Sequence, residues 1–134
     1  MDAKVTQRDS LFKRIGEEAG IRVLVNAFYD IIETEEYARP LHLLHQRGHG
    51  IAHSRMEQVD YLSGFLGGPV HYLQNHGHTR LRTIHEHVPI GVEMRDLWLR
   101  CMSQAVRQVD LSSQLADELM GHLSRAAESA RNMD

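Results

Sequence analysis

The sequence predicts an all-α domain, and three observations predict it. Apolar residues recur at helical spacing: Ile21, Leu24, Val25, Phe28 and Ile32 fall at i, i+3, i+4, i+7 and i+11. No stretch alternates apolar and polar residues long enough for a sheet, and Val70-His71-Tyr72-Leu73 is the one weak strand candidate. The three prolines, Pro40, Pro69 and Pro89, stand between the periodic segments and mark boundaries. A chain of 134 residues is enough for one domain with one core.

Taken in order, Ser10 can cap a short first helix carrying Leu11, Phe12 and Ile15, and Gly16 and Gly20 bracket a break. The long stripe from Ile21 to Ile32 follows, with Tyr29 beside it and able to face the same interior. Pro40 is expected to end the next short piece, and residues 43–50 read as a loop. Ile51 to Leu66 form a helix through Met56, Val59, Leu62 and Phe65, stopped by Gly67-Gly68-Pro69. Residues 70–89 read as a loop with a brief helix near Leu81–His85. Helical spacing returns from Ile90 through Met94, Leu97, Trp98, Cys101 and Ala105, and again from Leu111 to Ala130 through Leu115, Leu119 and Leu123. The organisation read from this is an N-terminal extension (1–10), one domain (11–131) and a C-terminal tail (132–134).

Composition excludes several classes. A hydrophobic fraction of 42% and a charged fraction of 25% are ordinary for a globular domain. The net charge is −3 with both signs interspersed, so the basic stripe of a nucleic-acid binder is missing. The apolar runs are too short for a membrane span. Met1-Asp2-Ala3-Lys4 lacks the apolar stretch of a signal peptide, and Cys101, the single cysteine, has no partner for an intrachain disulfide. A cytoplasmic protein, monomeric or homodimeric, is the expectation. The unusual number is ten histidines. Histidine is the commonest metal ligand, yet most of these are expected to be solvated surface groups.

Chemistry enters at Tyr29, Trp98 and His85. A tyrosine and a tryptophan inside apolar stripes bring donors that need partners when buried, although core packing with an exposed polar tip is an equal reading for either alone. His85 follows the basic turn Arg80-Leu81-Arg82 and precedes Pro89 and the helix bearing Trp98. A histidine on a short helix flanked by arginines can hold a haem, the imidazole on iron and the guanidinium groups on the propionates.

At these residues the sequence resembles the second group of truncated haemoglobins, the two-on-two helical globins. The resemblance runs from about Leu11 to Met102, through Leu11–Gly20, Phe28-Tyr29, Phe65-Leu66-Gly67-Gly68-Pro69, Asn75-His76-Gly77-His78 with Leu81-Arg82, Pro89-Ile90-Gly91 and Arg95–Met102. It implies a two-on-two helical sandwich around haem b (iron protoporphyrin IX). Under it His85, thirteen residues before Trp98, takes the proximal iron-ligand role. His87 is the competitor, standing where the family usually has proline. Tyr29 and Trp98 take the roles of distal donors, His42 falls where the family has an aromatic or histidine near the haem edge, and Gln58 and Ser54 face the distal pocket. Arg82, then Arg80, are the propionate partners, and Phe65 lines the cofactor. The chain departs from the family with Ile84 before His85, with Glu86, His87 and Val88 after it, and with a longer loop before the distal helix. That loop holds His45 and His49, with His53 following. A solvated loop is the plain reading of it. The functional alternative is that His42, His49 or His53 swings in as a sixth iron ligand or binds another metal.

The function this implies is binding of O2, or of NO, CO or another small ligand, at ferrous iron, with distal donors holding the ligand. A haem-dependent redox enzyme (NO dioxygenase or peroxidase-like, served by a reductase partner) is the first alternative, and a haem-free, histidine-rich metal-binding helical protein is the second.

Overall fold

The computed structural model describes residues 5–6 and 8–134, so the start Met1-Asp2-Ala3-Lys4 lies outside the described residues. The described chain forms α1 (Leu11–Ile15), α2 (Glu17–Thr34), α3 (Arg39–Arg47), α4 (Ile51–Phe65), α5 (His71–His76), α6 (Leu81–Ile84), α7 (Val92–Gln108) and α8 (Ser113–Ala130), with a 3-10 turn at Glu36–Ala38. No strand occurs among the described residues.

The Ser10 hydroxyl accepts from the Lys13 N–H at 3.2 Å and caps α1. α2 then starts at once. Gly20 lies inside its first turn, not beyond a break, and only glycine fits there, since a Cβ would meet the Ile15 carbonyl at 1.9 Å. The stripe of α2 is the centre of the core: Ile21, Leu24, Val25 and Phe28 are fully buried. This face lies against α4 and α7, and α7 in turn packs on α8 through Cys101, Met102, Leu119 and Leu123. Arg14 joins α1 to α8 by an ion pair with Glu118 at 2.6 Å.

Two segments differ from the sequence reading. Pro40 opens α3 and does not end a helix. In the first turn its missing N–H leaves no hydrogen bond unmade. The helix therefore runs through residues 43–47, which the sequence reads as loop, with Leu41, Leu44 and His45 on its inner side. The break comes later, at Gly50, whose φ of +91° suits glycine alone. The strand candidate at Val70–Leu73 is the start of α5, a short helix in which Tyr72 and His76 stack one turn apart, ring centroids 4.2 Å.

α4 carries polar residues on both sides, for a reason. One side, Arg55, Val59 and Leu62, faces α2, where Arg55 reaches Asp30 at 2.7 Å and Glu33 at 2.6 Å. The other, Ser54, Glu57, Gln58 and Tyr61, lines a cavity, which Leu62 also borders. At the far end of the chain, Asn132 and Met133 both donate their backbone N–H to the Ile90 carbonyl, at 2.9 and 3.1 Å. The segment that the sequence sets apart as a tail is thus bonded into the domain. No helix among the described residues is long and apolar enough to cross a membrane.

Candidate functional site

A cavity of about 340 Å³ is lined by residues of α2, α3, α4, α5, α6, α7 and α8. That size falls within the range of small-molecule and cofactor sites. Its walls are mostly aliphatic and aromatic, including Leu44, Leu62, Leu81, Ile84, Met94 and Leu123. Six of the ten histidines line it. Four of these, His49, His53, His76 and His87, are exposed, as the sequence expects of most histidines; His45 and His85 sit deeper.

α6 is one helical turn, so Leu81, Ile84 and His85 (i, i+3, i+4) share its inner side. The Nδ1 of His85 lies 2.8 Å from the Leu81 carbonyl. Only an N–H can bond a carbonyl, so the proton sits on Nδ1 and the Nε2 lone pair is left free. Burial pushes the His85 pKa below 6.5, with the neighbouring His87 acting the same way and the Leu81 carbonyl opposing. The ring is therefore neutral at neutral pH, the form in which imidazole binds a metal.

Across the cavity Tyr29 is 2% exposed, with the edge of Phe28 at 4.9 Å and of His45 at 5.5 Å between ring centroids. Burial drives its hydroxyl pKa far above 10, against the opposing pull of Arg55 and a Ser54 hydrogen bond, so Tyr29 remains a donor. Trp98 packs on Phe28, centroids 5.2 Å, and also lines the cavity. Gln58 and Ser54 line the same wall from α4.

His45, and not His42, is the α3 histidine inside. In a helix Leu41, Leu44 and His45 form one inner stripe, and His42 is rotated about 100° from Leu41. His42 instead lies 3.4 Å from the Gln46 amide and does not line the cavity. His45 Nδ1 lies 2.9 Å from the Leu41 carbonyl, the arrangement His85 shows with Leu81. Burial lowers its pKa below 6.5, with repulsion from His85 and His42 adding to that and the Leu41 bond opposing. The folded protein thus binds this proton less readily than the unfolded chain. Stability is retained above about pH 6.5 and falls as pH drops through the lower folded value. Urea midpoints of the ligand-free protein should decline between about pH 7.5 and about pH 5.5, and His45→Gln should flatten that slope. Identical slopes in both proteins would contradict this.

Other expected residues lie elsewhere. Phe65 is 36% exposed and stacked on Tyr61, which lines the cavity in its place. Arg80 and Arg82 do not line it either, because the inner side of α6 is taken by Leu81, Ile84 and His85; Arg82 borders a separate open groove with Glu86, Pro89 and Met133. The arginine that does line the cavity is Arg95, paired with Asp96 at 3.0 Å and with Glu128. His49 stands between His53 and His87, centroids 5.0 and 4.5 Å, and Glu57 joins His53 to His76. Among the described residues, however, no three His, Cys, Asp or Glu side chains converge as a metal cage requires, so the expectation of a second metal on this loop has no support. Sequence reasoning passed over Glu57 and Tyr61, although their i, i+3, i+4, i+7 spacing with Ser54 and Gln58 was there to be read.

Comparison with known proteins decides the family. A profile of the bacterial-like globins matches residues 10–132. The chain belongs to that family. It is 32% identical over 116 residues to a group 2 truncated haemoglobin of Bacillus subtilis, covering 87% of this chain and 83% of that one. The group II two-on-two haemoglobin of Agrobacterium tumefaciens superposes with a TM-score of 0.87 at 30% identity, over 98% of this chain and all of the other. A cold-adapted truncated haemoglobin of the Antarctic bacterium Pseudoalteromonas haloplanktis gives 0.87 at 32% identity, over 94% and 100%. The globin is thus a group 2 truncated haemoglobin with the two-on-two helical fold. Truncated haemoglobins bind haem and small ligands.

Proposed function

We propose that this truncated haemoglobin holds haem b in the cavity through His85 and binds a diatomic ligand, O2 foremost, on the Tyr29 side. One observation carries the reading. A neutral imidazole with Nδ1 committed to Leu81 shares an apolar-walled cavity with the Tyr29 hydroxyl and the Trp98 indole. The residues fit the group, since the walls suit a flat apolar macrocycle and the donor set is one free imidazole nitrogen. When bound, haem would supply an iron able to take a diatomic ligand.

The chain's own residues then set how long the ligand stays. Tyr29 and Trp98 donate to a ligand that draws negative charge, and Gln58 adds a third donor from α4. Ser54 lines the same cavity. His45 stands deep in the same cavity, and of the α3–α4 histidines it, not His42, His49 or His53, is the one we place beside the ligand. Two or three donors favour a tightly held ligand, which supports scavenging or sensing over bulk delivery. A single buried cysteine and no intrachain disulfide support a cytoplasmic setting.

The test is a titration of the purified protein with haemin, followed by reduction and exposure to CO. A stoichiometric Soret band that shifts with CO is the expected result. A protein that takes up no haemin overturns the reading.

A further inference from the structure

The proximal wall raises a question that α6 by itself does not answer. The helix ends at Ile84, and residues 85–91 cross to α7 without regular structure. A segment of that kind leaves carbonyls without helical partners and has little to hold it in one place. His85 is the first residue of this crossing. The direction of its imidazole depends on how firmly its own peptide group is held.

The side chain of Asn132, from the other end of the chain, holds it. The Asn132 amide nitrogen donates to the His85 carbonyl at 3.1 Å and to the Val88 carbonyl at 3.0 Å. Its amide oxygen accepts the Ile90 N–H at 2.8 Å. One primary amide thus uses both donors and its acceptor on three peptide groups of the crossing. Only one of its two orientations satisfies all three, because two partners are carbonyls and the third is an N–H. Two backbone bonds to the Ile90 carbonyl, from Asn132 at 2.9 Å and Met133 at 3.1 Å, lock the chain end against the same residue. The base of this clamp is braced in turn. Arg131 holds the Met133 carbonyl at 2.8 Å and pairs with Glu128, which Arg95 also reaches.

The two ends of His85 are therefore fixed by different parts of the fold. Its ring Nδ1 and its backbone N–H both bond the Leu81 carbonyl, at 2.8 and 3.1 Å, and its own carbonyl is held across a separation of 47 residues by Asn132. The Val88 N–H also bonds the His85 carbonyl, at 3.1 Å, but from within the same crossing; Asn132 is the anchor that ties this local turn to another part of the fold.

We propose that Asn132 is a positioning residue for the proximal imidazole and fixes the direction and strength of its bond to iron. The proposal rests on the haem reading of His85 given above. No other side chain reaches both carbonyls among the described residues. The amide is suited to the task in a way its isostere is not. Aspartate at this place would keep the acceptor for Ile90 but set carboxylate oxygens against two carbonyl oxygens.

The test compares wild type, Asn132→Asp and Asn132→Ala by three measurements. These are amide exchange at Ile90 in the haem-free protein, the iron–histidine stretching band of the ferrous haem-loaded protein, and the rate of haem transfer to excess apomyoglobin. The Ile90 amide should be protected in the wild type and exposed in Asn132→Ala, while Asn132→Asp keeps its acceptor. The stretching band should shift, most in Asn132→Asp. Haem loss should quicken about tenfold or more, the size of effect that losing an outer-shell partner has on a metal site. Far-UV circular dichroism is read alongside, and Asn132→Ala, whose groove admits water to the freed carbonyls, keeps the test usable should Asn132→Asp not fold. Folded variants with the wild-type band and the wild-type rate of haem loss overturn the proposal. So does an Ile90 amide unprotected in the wild type. Failure of the haem reading shows separately, as a wild type with a protected Ile90 amide and no Soret band.

Discussion

Replacing His85 by glycine is expected to abolish stable haem binding. The loss should exceed the roughly 10- to 100-fold in metal affinity that removal of an outer-shell partner costs, because here the ligand itself is removed. The position tolerates the change structurally. His85 follows the last residue of the one-turn helix α6, and its backbone bonds to Leu81 and Val88 survive the substitution. The variant should remain folded, and added free imidazole should enter the vacated space and restore the Soret band. His87→Gly is the necessary companion. His87 is exposed and sits against His49, so its loss should leave haem binding unchanged. Should His87→Gly lose haem while His85→Gly keeps it, the proximal role belongs to the other histidine.

The second large effect is expected at the donor wall. Tyr29→Phe removes one hydroxyl and leaves the ring in its contacts with Phe28 and His45. A hydrogen bond from this donor to a ligand bearing negative charge contributes about 1.5–3 kcal/mol, so O2 should leave about 10- to 100-fold faster. Trp98→Phe should act in the same direction, with some added loss of packing on Phe28. The two residues share one cavity, so the double variant is not expected to equal the sum of the singles. Stopped-flow displacement of O2 by CO measures all three. Unchanged dissociation in both single variants would mean that neither donor reaches the ligand, and would leave Gln58 or His45 as the residue that does.

Much of this molecule can be read from its residues alone. The α2 stripe, the stop at Gly67-Gly68-Pro69, the one-turn helix before His85 and the order of fragments shared with truncated haemoglobins are all local patterns. Local patterns survive without coordinates because period and turn chemistry depend on near neighbours. Errors cluster where a neighbour far along the chain decides. Pro40 carries the same local signal whether it ends one helix or opens the next, and only the place of Leu41 and Leu44 against the core settles which. The exchange of His42 for His45 follows from that one helix, since a residue's side is undefined until its segment has a conformation. Arg80 and Arg82 flank the histidine in sequence, but a single turn leaves them on the outer side.

The sequence by itself determined that this is a helical globin, and it singled out one histidine, one phenol and one indole as the groups of chemical interest. Those facts lie in short-range periodicity and in residue identity. Tertiary structure alone decided which second histidine enters the cavity, which arginine borders it, and that an asparagine at the far end of the chain holds the peptide of His85. Such pairings join residues that the chain separates by tens of positions, and no local rule of spacing or propensity encodes a distance across a folded core.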